Sequence, residues 1–492
     1  MKKSLWKRVL AGVTCLTLAI AASGCTEQSK NKTSLEDDES QPYEIVWYYV
    51  GSANNADLEM VNQKVNEYVT EKINATVKMT PLDWSPFYTK MENIMSSGEK
   101  YDLRWVNDSL YQTAVFKGAF IDLDELLSTY APQTRTLLGE DFINGAKING
   151  KLYGVPANKD KAHSTSIFVR KDIAEKYNLD LTQVHNWGDM YPLYDVIRDN
   201  EPSMRVYGMG NSASPWDITD KKDDLGGNGL VGFIEGSDKV QNLFETDLYR
   251  ECITTAREMY QAGYIYKDVA VNDSTSDMRK QGKVFAYARS SNPGVLAELN
   301  ASYGYEWVEI SLSDPVYNAS DCQGSMMAIP VSCKNPIRVM KFIELLNTDK
   351  YLNNLINFGI EGVHYDKVGE NRIALKKDSG YKTNSMQWVF GNTFINYLYE
   401  GEADDKYEKL AEFNEEAKAS PYLGFVPNLE SVKIQVSSCN NVVNEYGEVL
   451  EFGAADIDEV LPAFQQKLKQ AGIDEIVAEV QKQYDEWKAN NQ

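Results

Sequence analysis

Several residues able to bind a ligand stand just past segments that read as strands. Tyr48 and Tyr49 end the first such segment, and Trp84 follows the second within Asp83-Trp84-Ser85. Trp105, Asn107 and Asp108 end the third, Trp216 follows a Ser/Pro loop, and Arg289 closes a strand before Ser290. Flat rings suit the apolar faces of a ligand, and fixed polar groups suit an edge of hydroxyls. The chain is well supplied with rings, having 9 Trp and 30 Tyr. In open α/β sheets, ligands gather in the crevice at strand ends, so this is where such residues would meet.

Other chemistries find less support. The sequence has no G-x-S-x-G, H-E-x-x-H, P-loop or Gly-rich dinucleotide loop. Its 72 acidic residues could still supply the two carboxylates of a glycan-degrading enzyme, which needs no motif. Outside the first 25 residues the cysteines are Cys252, Cys322, Cys333 and Cys439, with no C-x-x-C, so no zinc site is expected. Cys322 and Cys333 are the pair close enough in sequence to invite a disulfide, although sparse cysteines in a large domain are usually buried thiols. His163, His185 and His364 are isolated. His163 reads as a surface histidine, and Glu361 and His364 read as turn-shaping. Arg198–Pro202 lacks alternating oxygen ligands and Asp273–Asp277 lacks a central glycine, so no calcium loop is expected. The predicted cofactor and metal content is none.

The elements that must position these residues alternate. Ile45–Val50 reads as a strand stopped by Gly51, and Leu58, Val61, Val65, Tyr68 and Val69 recur at helical spacing. Val77 and Met79 belong to a second strand, Phe87, Met91, Ile94 and Met95 to a helix, and Tyr101–Val106 to a third strand. Ser166–Val169, Val284–Ala288 and Ser325–Val331 continue the pattern, and Asn335-Pro336 caps a further helix. Strand–helix alternation predicts an α/β fold with a mainly parallel sheet. Near the end, Val432–Val436 alternates as a half-exposed strand does. Helices are predicted near Glu459–Gln470 and from about Asp474, so residues 419–492 form an appended α+β module.

The first residues set the compartment. Lys2, Lys3, Lys7 and Arg8 precede an uncharged apolar run, Leu10–Ala22, then Ser23, Gly24 and Cys25. This is the layout of a secretory signal peptide over residues 1–24. Ala22 to Cys25 resembles a bacterial lipobox, which implies lipidation of Cys25. Two or more acyl chains give stable anchoring. Residues 25–42 are polar and read as a flexible tether. Losing the four leader cations takes the net charge from −22 to −26, which opposes binding to nucleic acid.

The order of several segments resembles the family 1 extracellular solute-binding lipoproteins of ABC importers. They are Asn149-Gly150-Lys151-Leu152-Tyr153-Gly154-Val155-Pro156, then Gly324-Ser325-Met326-Met327-Ala328-Ile329-Pro330. Phe358–Tyr365 and Trp388–Asn392, with the C-terminal tail, resemble a large subgroup that carries a C-terminal domain of unknown function. The resemblance implies a two-lobed type II periplasmic-binding-protein fold. Lobe 1 would comprise 43–157 plus 324–362, and lobe 2 would comprise 158–323 plus 363–418. It adds candidate ligand contacts: Asn158 and Lys159 beyond the first crossing, Ser325 at the start of the return strand, and Trp388. The implied function is capture of a carbohydrate, most simply an oligosaccharide, by a monomer lipid-anchored at the extracytoplasmic membrane face. Its partners would be ABC permease subunits with a cytoplasmic ATPase. A receptor for peptides or other non-sugar solutes would use the same fold.

Overall fold

The computed structural model describes residues 37–210, 213–225, 229–270, 275–383 and 386–491. The leader, Cys25 and most of the expected tether lie outside the described residues, as do Asp273 and Ser274. Among the described residues no helix is long and apolar enough to cross a membrane.

The first lobe is built on a five-stranded sheet, in the order Ala75–Leu82, Tyr43–Val50, Leu103–Val106, Met326–Ala328, Gly154–Pro156. Ile45, Trp47 and Val50 are fully buried, because helices cover both faces. Helix Leu58–Ile73 buries Val61, Val65 and Val69, the stripe its spacing requires. The second lobe is a four-stranded sheet, in the order Trp307–Ser311, Ser164–Arg170, Val284–Ser291, Arg205–Tyr207.

The mainly parallel sheet is half right. Tyr43–Val50 runs parallel to both neighbours, but the return strand Met326–Ala328 is antiparallel to both of its own. In the second lobe Ser164–Arg170 also pairs antiparallel on each side. The chain crosses between lobes instead of completing each β–helix–β unit in one sheet, so some strands enter from the opposite end.

Three further expectations are corrected. Val432–Val436 is not a strand: Val432 ends the short helical turn Glu430–Val432, and helix Lys433–Glu451 takes the rest. The five-residue alternation is a fragment of a longer stripe. Val432, Cys439, Gly447 and Leu450 are buried at helical intervals while Ile434 is 74% exposed. The module is thus three helices, Lys433–Glu451, Ile457–Ala471 and Ile473–Asn491. Its β component comes from the small sheet Lys222–Asp223, Val231–Ile234, Gln241–Asn242, which shares one apolar core with those helices. Gly472 ends the middle helix at φ 99°, where a Cβ would lie 2.5 Å from Gln435 Cγ.

The segment 363–418 does not pack as a unit with the second lobe. Tyr381, Val389 and Phe390 are buried in the first-lobe core, with Phe390 edge-on to Trp47 at 5.8 Å. His364 is buried in a turn, where Nδ1 accepts from the Ile360 amide at 2.8 Å and Nε2 lies 3.3 Å from Asp57. Of the expected tether, 25–42, the described end is held to the first lobe. Asp37 takes two hydrogen bonds from the fully buried Arg338, which also bonds the carbonyls of Asp38 and Asn74. The Asp37 carboxyl is lowered to about 2: burial opposes the shift, but Arg338, Asn335 and Lys341 outweigh it.

Candidate functional site

Four of the predicted contacts meet at the first lobe. Trp105, at the end of Leu103–Val106, is 1% exposed and packs edge-on to Phe87 at 5.5 Å. Trp84 opens helix Trp84–Ser97 and is 41% exposed. Trp388 belongs to the short helical turn Gln387–Val389. Trp84 stacks on Trp388 at 6.1 Å and meets Trp105 edge-on at 5.5 Å, while Trp105 lies 5.9 Å from Trp388. Ser325 ties the group together: its Oγ accepts from Trp105 Nε1 at 2.9 Å and donates to the Trp388 carbonyl at 2.9 Å. The result is a braced three-indole surface with one ring turned to solvent.

Lys159 and Arg289 lie elsewhere, in the wall of a cavity of about 710 Å³ on the second-lobe side, within the size range of small-ligand sites. Lys159 Nζ reaches the Asp160 carbonyl at 2.9 Å, and Asn292 Nδ2 donates to Asp160 at 3.1 Å. Asp217, Asp321 and Lys222 also line this cavity. The Oγ atoms of Ser291 and Ser320 are buried on its lining without a hydrogen-bond partner, and each must find one to avoid a desolvation cost.

The indole cluster is not on this cavity's lining. Asp108, three residues past Trp105, is not on the lining either, but it feels the charges of Asp224 and Asp321, which are. Burial raises the Asp108 carboxyl, and the charges of Asp224 and Asp321 raise it further against the pull of the Ser109 amide.

The remaining candidates sit at packing, capping or crossing positions. Tyr48 is buried and donates to Glu99 at 2.7 Å. Tyr49 packs on Trp47 at 4.6 Å and on Phe390 at 5.1 Å. Asn107 caps the helix Asp108–Phe116 through the Leu110 amide. Asn158 is buried at the crossing, where its side chain donates to Asn392 Oδ1 at 3.0 Å and its backbone amide to the Gly391 carbonyl at 2.8 Å. Trp216 is 5% exposed and packs edge-on to Tyr249 at 4.9 Å in the core shared with the C-terminal helices.

His163 is not a surface histidine. It lies on the cavity wall, with Nδ1 3.1 Å from Asp321 Oδ1. Burial lowers its pKa, but the hydrogen bond and charge of Asp321 outweigh this and leave it raised. Asp321 and Ser320 escaped sequence reading because both lie in the short helix Ala319–Gln323, whose Asn318-x-x-Asp321 pattern reads as a cap. It is one: the Asn318 side chain accepts from the Asp321 amide at 3.2 Å. Cys252, Cys322, Cys333 and Cys439 are free thiols, so Cys322 and Cys333 are not joined. Burial pushes the Cys333 thiol up to about 12.

Residues 63–360 match the family described as bacterial extracellular solute-binding protein, and 421–489 match a domain of unknown function, DUF3502. A carbohydrate ABC transporter substrate-binding protein of Streptococcus pneumoniae is 30% identical, with 99% of each chain covered. The crystal structure of the N-glycan transport solute-binding protein NgtS of S. pneumoniae matches at 28% identity and TM-score 0.82, covering 92% of this chain and 100% of that one. NgtS in complex with Man5GlcNAc matches over the same shares, also at 28% identity, with TM-score 0.69.

Proposed function

The chain belongs to the bacterial extracellular solute-binding protein family, and on that premise we propose that it captures a carbohydrate, most simply an oligosaccharide, between its lobes and delivers it to an ABC permease. The observation that carries this is the solvent-facing indole of Trp84 braced on Trp388 and Trp105. A pyranose offers that surface a flat C–H face and offers the polar lining of the second-lobe cavity its hydroxyls. The unpartnered Oγ atoms of Ser291 and Ser320 are suited to receive them. The N-glycan named for NgtS makes Man5GlcNAc the first ligand to try.

In this reading lobe 1 holds 43–157, the return strand and the 363–399 excursion, and lobe 2 holds the second sheet with the C-terminal helices fused to it. Cys25 carries the lipid that keeps the receptor at the extracytoplasmic face. Metabolic labelling with an alkyne fatty acid should mark the wild type and not Cys25→Ala.

Isothermal titration of the soluble chain from Thr26 tests the ligand class. That start keeps Asp37, the partner of Arg338. Man5GlcNAc and related oligosaccharides should bind and be recovered intact. Binding of peptides with no binding of sugars would discard the carbohydrate assignment, and recovery of cleaved sugar would make the protein an enzyme.

A further inference from the structure

A second cavity, of about 850 Å³, opens between the first lobe and the last helix, Ile473–Asn491. Its first-lobe edge is the turn Asn149-Gly150. Both residues have positive φ (52° and 75°), and Ile148 and Lys151 exchange backbone hydrogen bonds across it, the geometry that favours Asn-Gly. The opposite edge carries Glu479, Glu486 and Trp487. Between them runs 425–431, held by Gln483, which accepts from the Asn428 amide at 2.8 Å and donates to its carbonyl at 2.9 Å.

The lining suits a sugar better than a protein. Its large apolar side chains are Phe425, Val426 and Trp487, too few for the apolar centre of a stable protein interface. The rest is amide, carboxylate and hydroxyl, with Lys482 as its one cation against three carboxylates. That balance disfavours an anionic ligand and leaves a ring with hydroxyl edges.

We propose that this groove is a second subsite for a neutral glycan, with a pyranose lying on Trp487 and its hydroxyls taken by Asn149, Asn428, Glu479 and Glu486. The assignment rests on the carbohydrate reading of the cleft.

Two contacts link the groove to that cleft. Phe425 is buried in the core of the C-terminal module while its neighbour Val426 is buried in the first-lobe core, so the segment under the groove is fixed to both bodies. From Trp487 a series of rings leads through Tyr484 at 5.8 Å and Tyr422 at 6.3 Å to Phe233, stacked on Tyr422 at 3.8 Å on the lining of the first cavity. A branched glycan held in the cleft would thus have a platform for another arm or a second molecule.

The test is fluorine NMR of the chain from Thr26 labelled with 5-fluorotryptophan and titrated with Man5GlcNAc, the Trp487 line being assigned from Trp487→Phe. A cleft-blind variant, Trp84→Ala/Arg289→Ala, removes binding between the lobes. If the double variant unfolds, Trp84→Ala serves with the sugar kept well below the roughly 30-fold raised Kd of its cleft, so that the cleft stays mostly empty. The Trp487 line should still move in the cleft-blind protein. Asn428→Ala or Glu479→Ala should weaken that response at least fivefold, and oligogalacturonate should leave the line in place. A Trp487 line that is static while other indole lines shift would overturn the subsite and leave the cleft reading standing. Movement only when the cleft is intact would make it a report of closure and overturn the subsite too. Movement with oligogalacturonate overturns the neutral-glycan class. If no indole line moves with any sugar, the carbohydrate reading itself falls.

Discussion

On the first lobe, Trp84, Trp105 and Trp388 pack ring against ring and leave one indole exposed. On the second, Lys159, Arg289 and Asp217 stand among charges around a cavity, with unpartnered serine hydroxyls between them. The first surface is complete without ligand, because each ring is held by another ring or by Ser325. The second is not, because buried Oγ atoms lack partners. A preformed apolar platform contributes affinity with little ordering cost, while polar groups that need a partner discriminate between ligands. The difference suggests an order of events: a sugar docks on the indoles first, and closure then satisfies the second wall.

The harshest way to break that comparison is to remove the platform's foundation. Trp105→Ala deletes a buried ring and leaves Ser325 Oγ without its donor. It should cost about 3–5 kcal/mol of stability by urea unfolding, and sugar binding should vanish with it. A cost under about 1 kcal/mol would mean that the cluster is loosely packed and that the preformed platform does not exist.

Trp84→Ala separates binding from folding. The ring is 41% exposed, so unfolding should change by less than about 1 kcal/mol. Affinity for an oligosaccharide should drop by about 2 kcal/mol, roughly 30-fold in Kd, as for other central indoles. If affinity is unchanged while Arg289→Ala weakens it strongly, the charged wall is the docking surface and the order of events reverses.

These two variants also show how far sequence could reach. Trp105 and Trp216 looked alike, each an indole beside a strand or loop end. One joined the platform, and the other was buried against Tyr249 in a core completed by helices some 200 residues later. Nothing local separates them, because the difference is which distant element covers the ring. Asn158 and Asn392 show the same limit, since a side-chain pair across 234 positions turned a candidate ligand contact into a crossing lock. What was legible was periodic or capped: the first two strands, the Asn335-Pro336 helix start and the two last helices. Val432–Val436 failed because five alternating residues fit a strand, and only the longer stripe to Leu450 revealed the helix.

A smaller effect sharpens the account of the charged wall from behind. Burial, reinforced by the charge of Asp217, pushes the Glu451 carboxyl up to about 8. As pH rises from about 4.5 towards 8, the unfolded chain releases this proton first, so stability falls across that window. Glu451→Gln should remove the decline and stabilise the protein at pH 7.5 by on the order of 1 kcal/mol, read from chemical denaturation at two pH values. If the wild type and the variant keep parallel stability profiles from pH 5 to 8, the carboxylate is solvated and the module packs less tightly on the second lobe than the shared core indicates.

The smallest effect belongs to His163, whose ring meets Asp321 beside both the crossing and the cavity. Burial works against its protonated form and Asp321 works for it, with a net raised pKa. A histidine raised above its unfolded value stabilises fully below about 6.5 and loses that contribution as pH climbs through the folded value. His163→Asn should therefore cost more stability at pH 6 than at pH 8, by less than about 1 kcal/mol for a pair a quarter exposed. The same titration bears on ligand capture. If Asp321 faces the sugar, freeing it from His163 at higher pH leaves its carboxylate available to a ligand hydroxyl, and wild-type affinity should rise modestly from pH 6 to 8 while the variant's stays flat. A pH-dependent change in stability with no change in affinity would confine the pair to bracing the crossing, and the discriminating wall would then end at Arg289 and the two serines.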